Sequence, residues 1–168
     1  AIAFFVVRDI FVLIVNNLTY NNSKKIMFHT PIEKIDFLRF FLGNAHGKSA
    51  ELIIDKGLVY ISEYFGYFKE ILQKSDKNFA QNNEQKLITT LEEIGIKDWK
   101  ENYDNNPIFE GTEWELEMKI NNEQKHYCFS GYEEFPEKTG DSTFTKYSNE
   151  FRKLLHVLNS LSDATYFA

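Results

Sequence analysis

The sequence predicts a mainly α-helical protein: a helical bundle with one inserted antiparallel β-hairpin, preceded by an N-terminal membrane helix. Three observations carry that expectation. Thirteen of the first fifteen residues are apolar. Apolar residues recur at helical spacing over residues 30–43, 49–73, 84–94 and 144–161. Between the last two of those stretches, Trp114, Leu116, Met118 and Ile120 alternate with charged residues, as a half-buried strand does.

The elements follow in order. "AIAFFVVRDIFVLIV" begins at Ala1 without Met, so further residues are expected upstream. A membrane span needs about 20 mostly apolar residues. The following "NNLTYNNSKK" ends in Lys24 and Lys25, a positive flank that marks the cytoplasmic side. Residues 1–25 thus read as membrane helix and linker, and residues 26–168 as a cytoplasmic domain. Arg8 and Asp9 interrupt the run. Each costs about 2.5–3.5 kcal/mol at the centre of an inserted helix, so the pair is expected to face a pore or a subunit seam. That expectation makes the protein a homo-oligomer in a membrane. A soluble, cytoplasmic domain with a buried N-terminal helix is the alternative.

Thr30-Pro31-Ile32-Glu33 reads as a helix start, with Thr30 as cap and Glu33 closing a capping box. Ile32, Ile35, Leu38 and Leu42 then mark an apolar face that ends at Gly43 and Gly47. A second helix is expected over residues 49–73, weakened locally by Gly57 and Gly66. A third is expected over 84–94 and stopped by Gly95. The hairpin spans about 113–130, turning at Asn121-Asn122. A final helix over 144–161 buries Phe151, Leu154, Leu155, Leu158 and Leu161.

Composition narrows the chemistry. Net charge is −6, which argues against a general nucleic-acid coat. Residues 100–141 hold eleven acidic side chains and four lysines, so this segment is a candidate contact for a basic protein. Cys128 is the single cysteine, which excludes an intrachain disulfide and fits a reducing compartment. His126 and Cys128 share a strand face, but two ligands do not make a metal site. No phosphate-binding glycine loop, metal cluster or nucleophile triad is present, and nothing calls for a cofactor or a metal.

Two Arg–His pairs remain. Arg39 and His46 are separated by six residues, and Arg152 and His156 by three. Such a pair suits metal-independent RNA cleavage. Histidine exchanges a proton with a ribose hydroxyl, and arginine holds the phosphate. Arg152 and His156 are therefore candidate catalytic residues, with Arg39 and His46 behind them. Arg39 and His46 resemble the R-x4–6-H motif of the HEPN superfamily of helical RNases, and Arg152 and His156, with a shorter spacer of three, resemble it in their place on a late helix. With the N-terminal apolar run, the chain looks like the small membrane accessory proteins of type VI-B CRISPR systems. The resemblance implies an oligomeric, pore-like accessory in the bacterial inner membrane that serves antiviral defence, working beside an RNA-guided effector and RNA, without efficient nuclease activity of its own. Two other readings stand beside it. One is a soluble acidic binding or immunity-type module, and the other is an RNase. Residues 111–158, with the Trp-x-Leu strand, polar turn, second strand and "FRKLLHVL" helix, are also similar to an uncharacterised bacterial module. That likeness implies a hairpin packed on a helix.

Overall fold

The computed structural model describes residues 29–66, 70–104, 111–136, 147–162 and 166–167. The chain divides into Ala1–Thr30 and Pro31–Ala168, and every element below belongs to the second unit.

The main body is a seven-stranded sheet, not a helical bundle. Four strands form a meander: β1 (Ile35–Asn44), β2 (Lys48–Asp55), β3 (Leu58–Phe65) and β4 (Glu70–Asn78). Helix α1 (Gln81–Glu93) and a 3-10 turn (Ile96–Asp98) follow. Next come β5 (Asn102–Asp104), β6 (Thr112–Ile120), β7 (Tyr127–Tyr132) and helix α2 (Asn149–Ser162). The spatial order is β4-β3-β2-β1-β6-β7-β5. All pairs are antiparallel except β5 with β7.

The two helices expected over 30–43 and 49–73 are corrected to this meander. Lys56 and Gly57 have φ of 49° and 76°. Positive φ at both central residues is the signature of the tight type I′ hairpin turn. Gly57 is thus a turn residue, not a weak point in a helix. The expected capping box is absent as well. The Glu33 and Lys34 amides donate to Asn121 Oδ1 at 2.8 and 3.2 Å, which ties the start of β1 to the β6–β7 turn. On the helix side, Glu84 and Glu92 of α1 accept the Ile35 and Ile32 amides at 3.0 and 2.5 Å.

β6 and β7 pair antiparallel, with Asn121 and Asn122 at φ 56° and 52° in the turn. They are interior strands of the sheet, between β1 and β5, and not an insertion into a bundle. Period-2 alternation sends Leu38, Phe40, Leu52, Ile54, Val59, Ile61, Leu116 and Met118 to one face, where all are almost fully buried. Helices α1 and α2 cover that face with Leu87, Leu91, Phe151, Leu154 and Leu158. Phe151 is the hub, its ring 5.0 Å from Trp114 and 6.1 Å from Phe40.

The expected membrane helix falls at residues 1–25, outside the described residues. Among the described residues no helix is long and apolar enough to cross a membrane. α1 has 13 residues and α2 has 14, both polar on one side. The apolar run with Arg8 and Asp9, expected to face a pore or subunit seam, lies outside the described residues.

Candidate functional site

Helices cover one side of the sheet, and the other side concentrates charge. Alternation that buries Leu38 and Phe40 turns Arg39 the opposite way, at the centre of β1. The registers then set glutamates around it. Arg39 pairs across with Glu117, and Phe41 lies between Glu51 and Glu115. Arg39 Nε donates to Glu51 Oε1 at 2.6 Å, and Nη1 donates to Glu115 Oε2 at 2.8 Å and Glu117 Oε1 at 3.1 Å. The network continues outward. The Tyr64 hydroxyl donates to Glu51 Oε2 at 3.2 Å, and His126 Nε2 lies 3.5 Å from Glu117 Oε2.

Three carboxylates against one guanidinium leave this cluster with two negative charges. Burial works against the charged form of Arg39. The hydrogen bonds and attraction of Glu115 and Glu51 outweigh it and raise its pKa further, so Arg39 is a fixed cation. Beside the cluster lies an open cavity of about 420 Å³ lined by Glu101, Glu115, Glu117, His126, Cys128 and Ser130. Burial, with the nearby charges of Glu117 and Glu101, pushes the Cys128 thiol up. A thiolate is the nucleophilic form, so Cys128 is held in its unreactive state. Among the described residues no three His, Cys, Asp or Glu side chains converge to hold a metal ion. The His126–Cys128 pair stays a pair.

The sequence-derived candidates fall in three places. Arg39 is engaged by its three glutamates on the open face. His46 sits exposed in the β1–β2 turn, its amide donating to Asn44 Oδ1 at 2.9 Å. It lines a separate cavity that Arg39 does not reach, so the structure does not join these two. Arg152 and His156 do share a groove of about 630 Å³ between α1 and α2. There the Arg152 guanidinium donates to Asn149 Oδ1, and Lys153 Nζ is 3.6 Å from Glu93 Oε2. Both Arg152 and His156 are exposed. Sequence reasoning misses Glu51 and Tyr64, because a helical reading of 49–73 gives neither a common face with Arg39. The alternating glutamates of β6 are visible in the sequence, where a solvated face is their ordinary meaning.

Comparison with protein-family models and with curated proteins finds no match to the chain.

Proposed function

We infer that this domain is an acidic binding module that docks a basic protein partner through the open face of its sheet, in the manner of an immunity-type protein. One observation carries the reading: Arg39 is already saturated, and the unneutralised carboxylates beside it line a cavity large enough for a partner's arginine or lysine side chain. Complementary charge of this kind speeds and orients association more than it deepens affinity. The free, protonated Cys128 at the rim supports a reducing, cytoplasmic setting.

A titration of the full chain with a short oligo-arginine peptide, followed by amide NMR, tests the reading. Shifts are expected at Glu115, Glu117, Cys128 and Ser130, weakening with added salt. Glu101→Gln removes a cavity carboxylate that does not hold Arg39. It should weaken binding about fivefold, the size of one partly exposed ion pair. Shifts scattered over every acidic surface, or indifference to Glu101→Gln, would overturn it.

A narrower second reading rests on the shared groove of Arg152 and His156, the arrangement that metal-independent RNA cleavage requires. If the full chain cleaves single-stranded RNA, His156→Ala should abolish cleavage. Cleavage that survives the substitution, or none by the parent chain, removes this reading.

A further inference from the structure

The end of the sheet where the β1–β2 hairpin turns holds a separate cavity of about 520 Å³. Small residues, Gly43, Gly47, Ser49 and Ala50, line much of it. The registers align Glu63, Ala50, Leu42 and Trp114 in one row across β3, β2, β1 and β6, on the helix-covered face. The next inward positions on β2, Leu52 and Ile54, fill their space. Ala50, 3% exposed, contributes only a methyl group to the lining. Tyr147, just before α2, Tyr166, the buried Thr112 and the exposed Lys48 also line it.

The charges of this hollow come as an opposed pair. The Glu63 side chain is 19% exposed, and Lys48, 75% exposed, holds its Nζ at 3.9 Å from Glu63 Oε1. So long and exposed a contact contributes little, and opening it costs little. A molecule bearing both an ammonium and a carboxylate would replace one weak ion pair with two. Its body would lie against Tyr147 and Tyr166, whose rings offer apolar surface at the lining. The volume falls within the usual range of about 300–1,000 Å³ for small-molecule sites.

We propose that this cavity binds a small zwitterion with an apolar or aromatic body, of which a free aromatic α-amino acid is the simplest case. Glu63 receives the ammonium, Lys48 the carboxylate, and Tyr147 and Tyr166 the side chain. The site is distinct from the acidic open face and does not depend on the docking reading.

Amide NMR of the full chain with L-phenylalanine tests it. Saturable shifts are expected at Gly43, Gly47 and Thr112. N-acetyl-L-phenylalanine lacks the ammonium and L-phenylalaninamide lacks the carboxylate. Each should bind about fivefold more weakly or worse, the scale of one lost ion pair. Lys48→Met should abolish the preference for the free acid over the amide. Glu63→Gln should abolish the preference over the acetylated form. Ala50→Leu should fill the hollow and remove binding. Lys48 is exposed, so its variant keeps the test intact if Ala50→Leu fails to fold. No shifts up to millimolar phenylalanine, shifts elsewhere, or equal binding of all three compounds would overturn the proposal.

Discussion

At the scale of single residues, Arg39 shows how one side chain can hold four strands' chemistry together. It bridges carboxylates from β2 and β6 while sitting on β1, and Tyr64 of β3 joins through Glu51. Its side chain is 21% exposed and that of Glu51 12%, while Glu115 and Glu117 are 40% and 34% exposed, so removing it leaves three glutamates near one another in a partly hydrated place. Arg39→Leu is therefore expected to destabilise the fold by about 2 kcal/mol, between the values for an exposed and a buried ion pair. Arg39→Lys keeps the charge but loses the planar fork that reaches Glu51 and Glu115 together, and should recover only part of this. Urea unfolding of the three proteins measures both effects. Gly131 is a second such residue. A Cβ there would lie 2.6 Å from the Glu134 carbonyl oxygen and against the Trp114 indole. The Trp114 Nε1 hydrogen donates to that same carbonyl at 2.8 Å, so neither neighbour can withdraw freely. Gly131→Ala should cost about 2 kcal/mol through overpacking, read as a lower urea midpoint.

At the scale of elements, the turns decide what the apolar spacing leaves open. "IDFLRFFLGN" can be laid on a helix or a strand, because its apolar residues are too dense for either period to be exclusive. For β2 and β3, which have the same ambiguity, what settles it is Asp55-Lys56-Gly57-Leu58, where both central residues have positive φ, and β1 pairs with β2. A Cβ added at Gly57 would meet no atom within 4 Å, so Gly57→Ala tests backbone strain alone. It is expected to destabilise by about 1 kcal/mol, the cost of a left-handed L-residue. Lys56→Asn should stabilise by a few tenths of a kcal/mol, since Asn-Gly is the favoured type I′ pair. The same unfolding measurement reads both, and opposite signs are required. The same contest between spacing and turns explains which elements are legible in the sequence. β6 alternates cleanly because one of its faces is charged. α1 and α2 carry single apolar stripes and end near a glycine or a polar segment. β1, β2 and β3 read as helices because their second face is also partly covered: Phe41 and Tyr64 are buried there, which blurs the period. The open-face site is hidden with them, since Arg39, Glu51 and Tyr64 meet only through strand register. Arg152 and His156 are legible as neighbours because a helix brings i and i+4 together whatever else the chain does.

At the scale of the folded unit from Pro31 onward, the sheet separates two environments, an aromatic core under the helices and a charged face opposite. Groups at the boundary between them make stability depend on pH at both ends. Burial works against ionised Asp36, but the hydrogen bonds from Lys34 and the Asn122 amide, together with the Lys34 charge, hold its pKa below the usual carboxylate value. A depressed carboxylate contributes stability that is present above its unfolded pKa and lost as pH falls through the folded one. The alkaline side has more contributors. Burial pushes Tyr147 up, aided by Glu133. Burial does the same for Tyr127, aided by Glu123, and for Tyr64, where Glu51 adds to it. Cys128 moves the same way. In each case the unfolded chain ionises first, at about 9 for the thiol and about 10 for the phenols. Between those values and the higher folded ones, the folded chain binds more protons than the unfolded chain. Stability must then fall as pH rises. Unfolding midpoints measured from pH 7 to pH 11 are expected to hold level to about pH 9 and then decline. Tyr147→Phe removes one ionising group while keeping the ring that packs on Phe135 and Phe151, 4.8 and 5.5 Å away. Its midpoint should fall less steeply than that of the parent chain above pH 10 and run parallel to it near pH 7. Parallel curves over the whole range would show that the Tyr147 hydroxyl titrates alike in both states, and that burial under the start of α2 does not reach it.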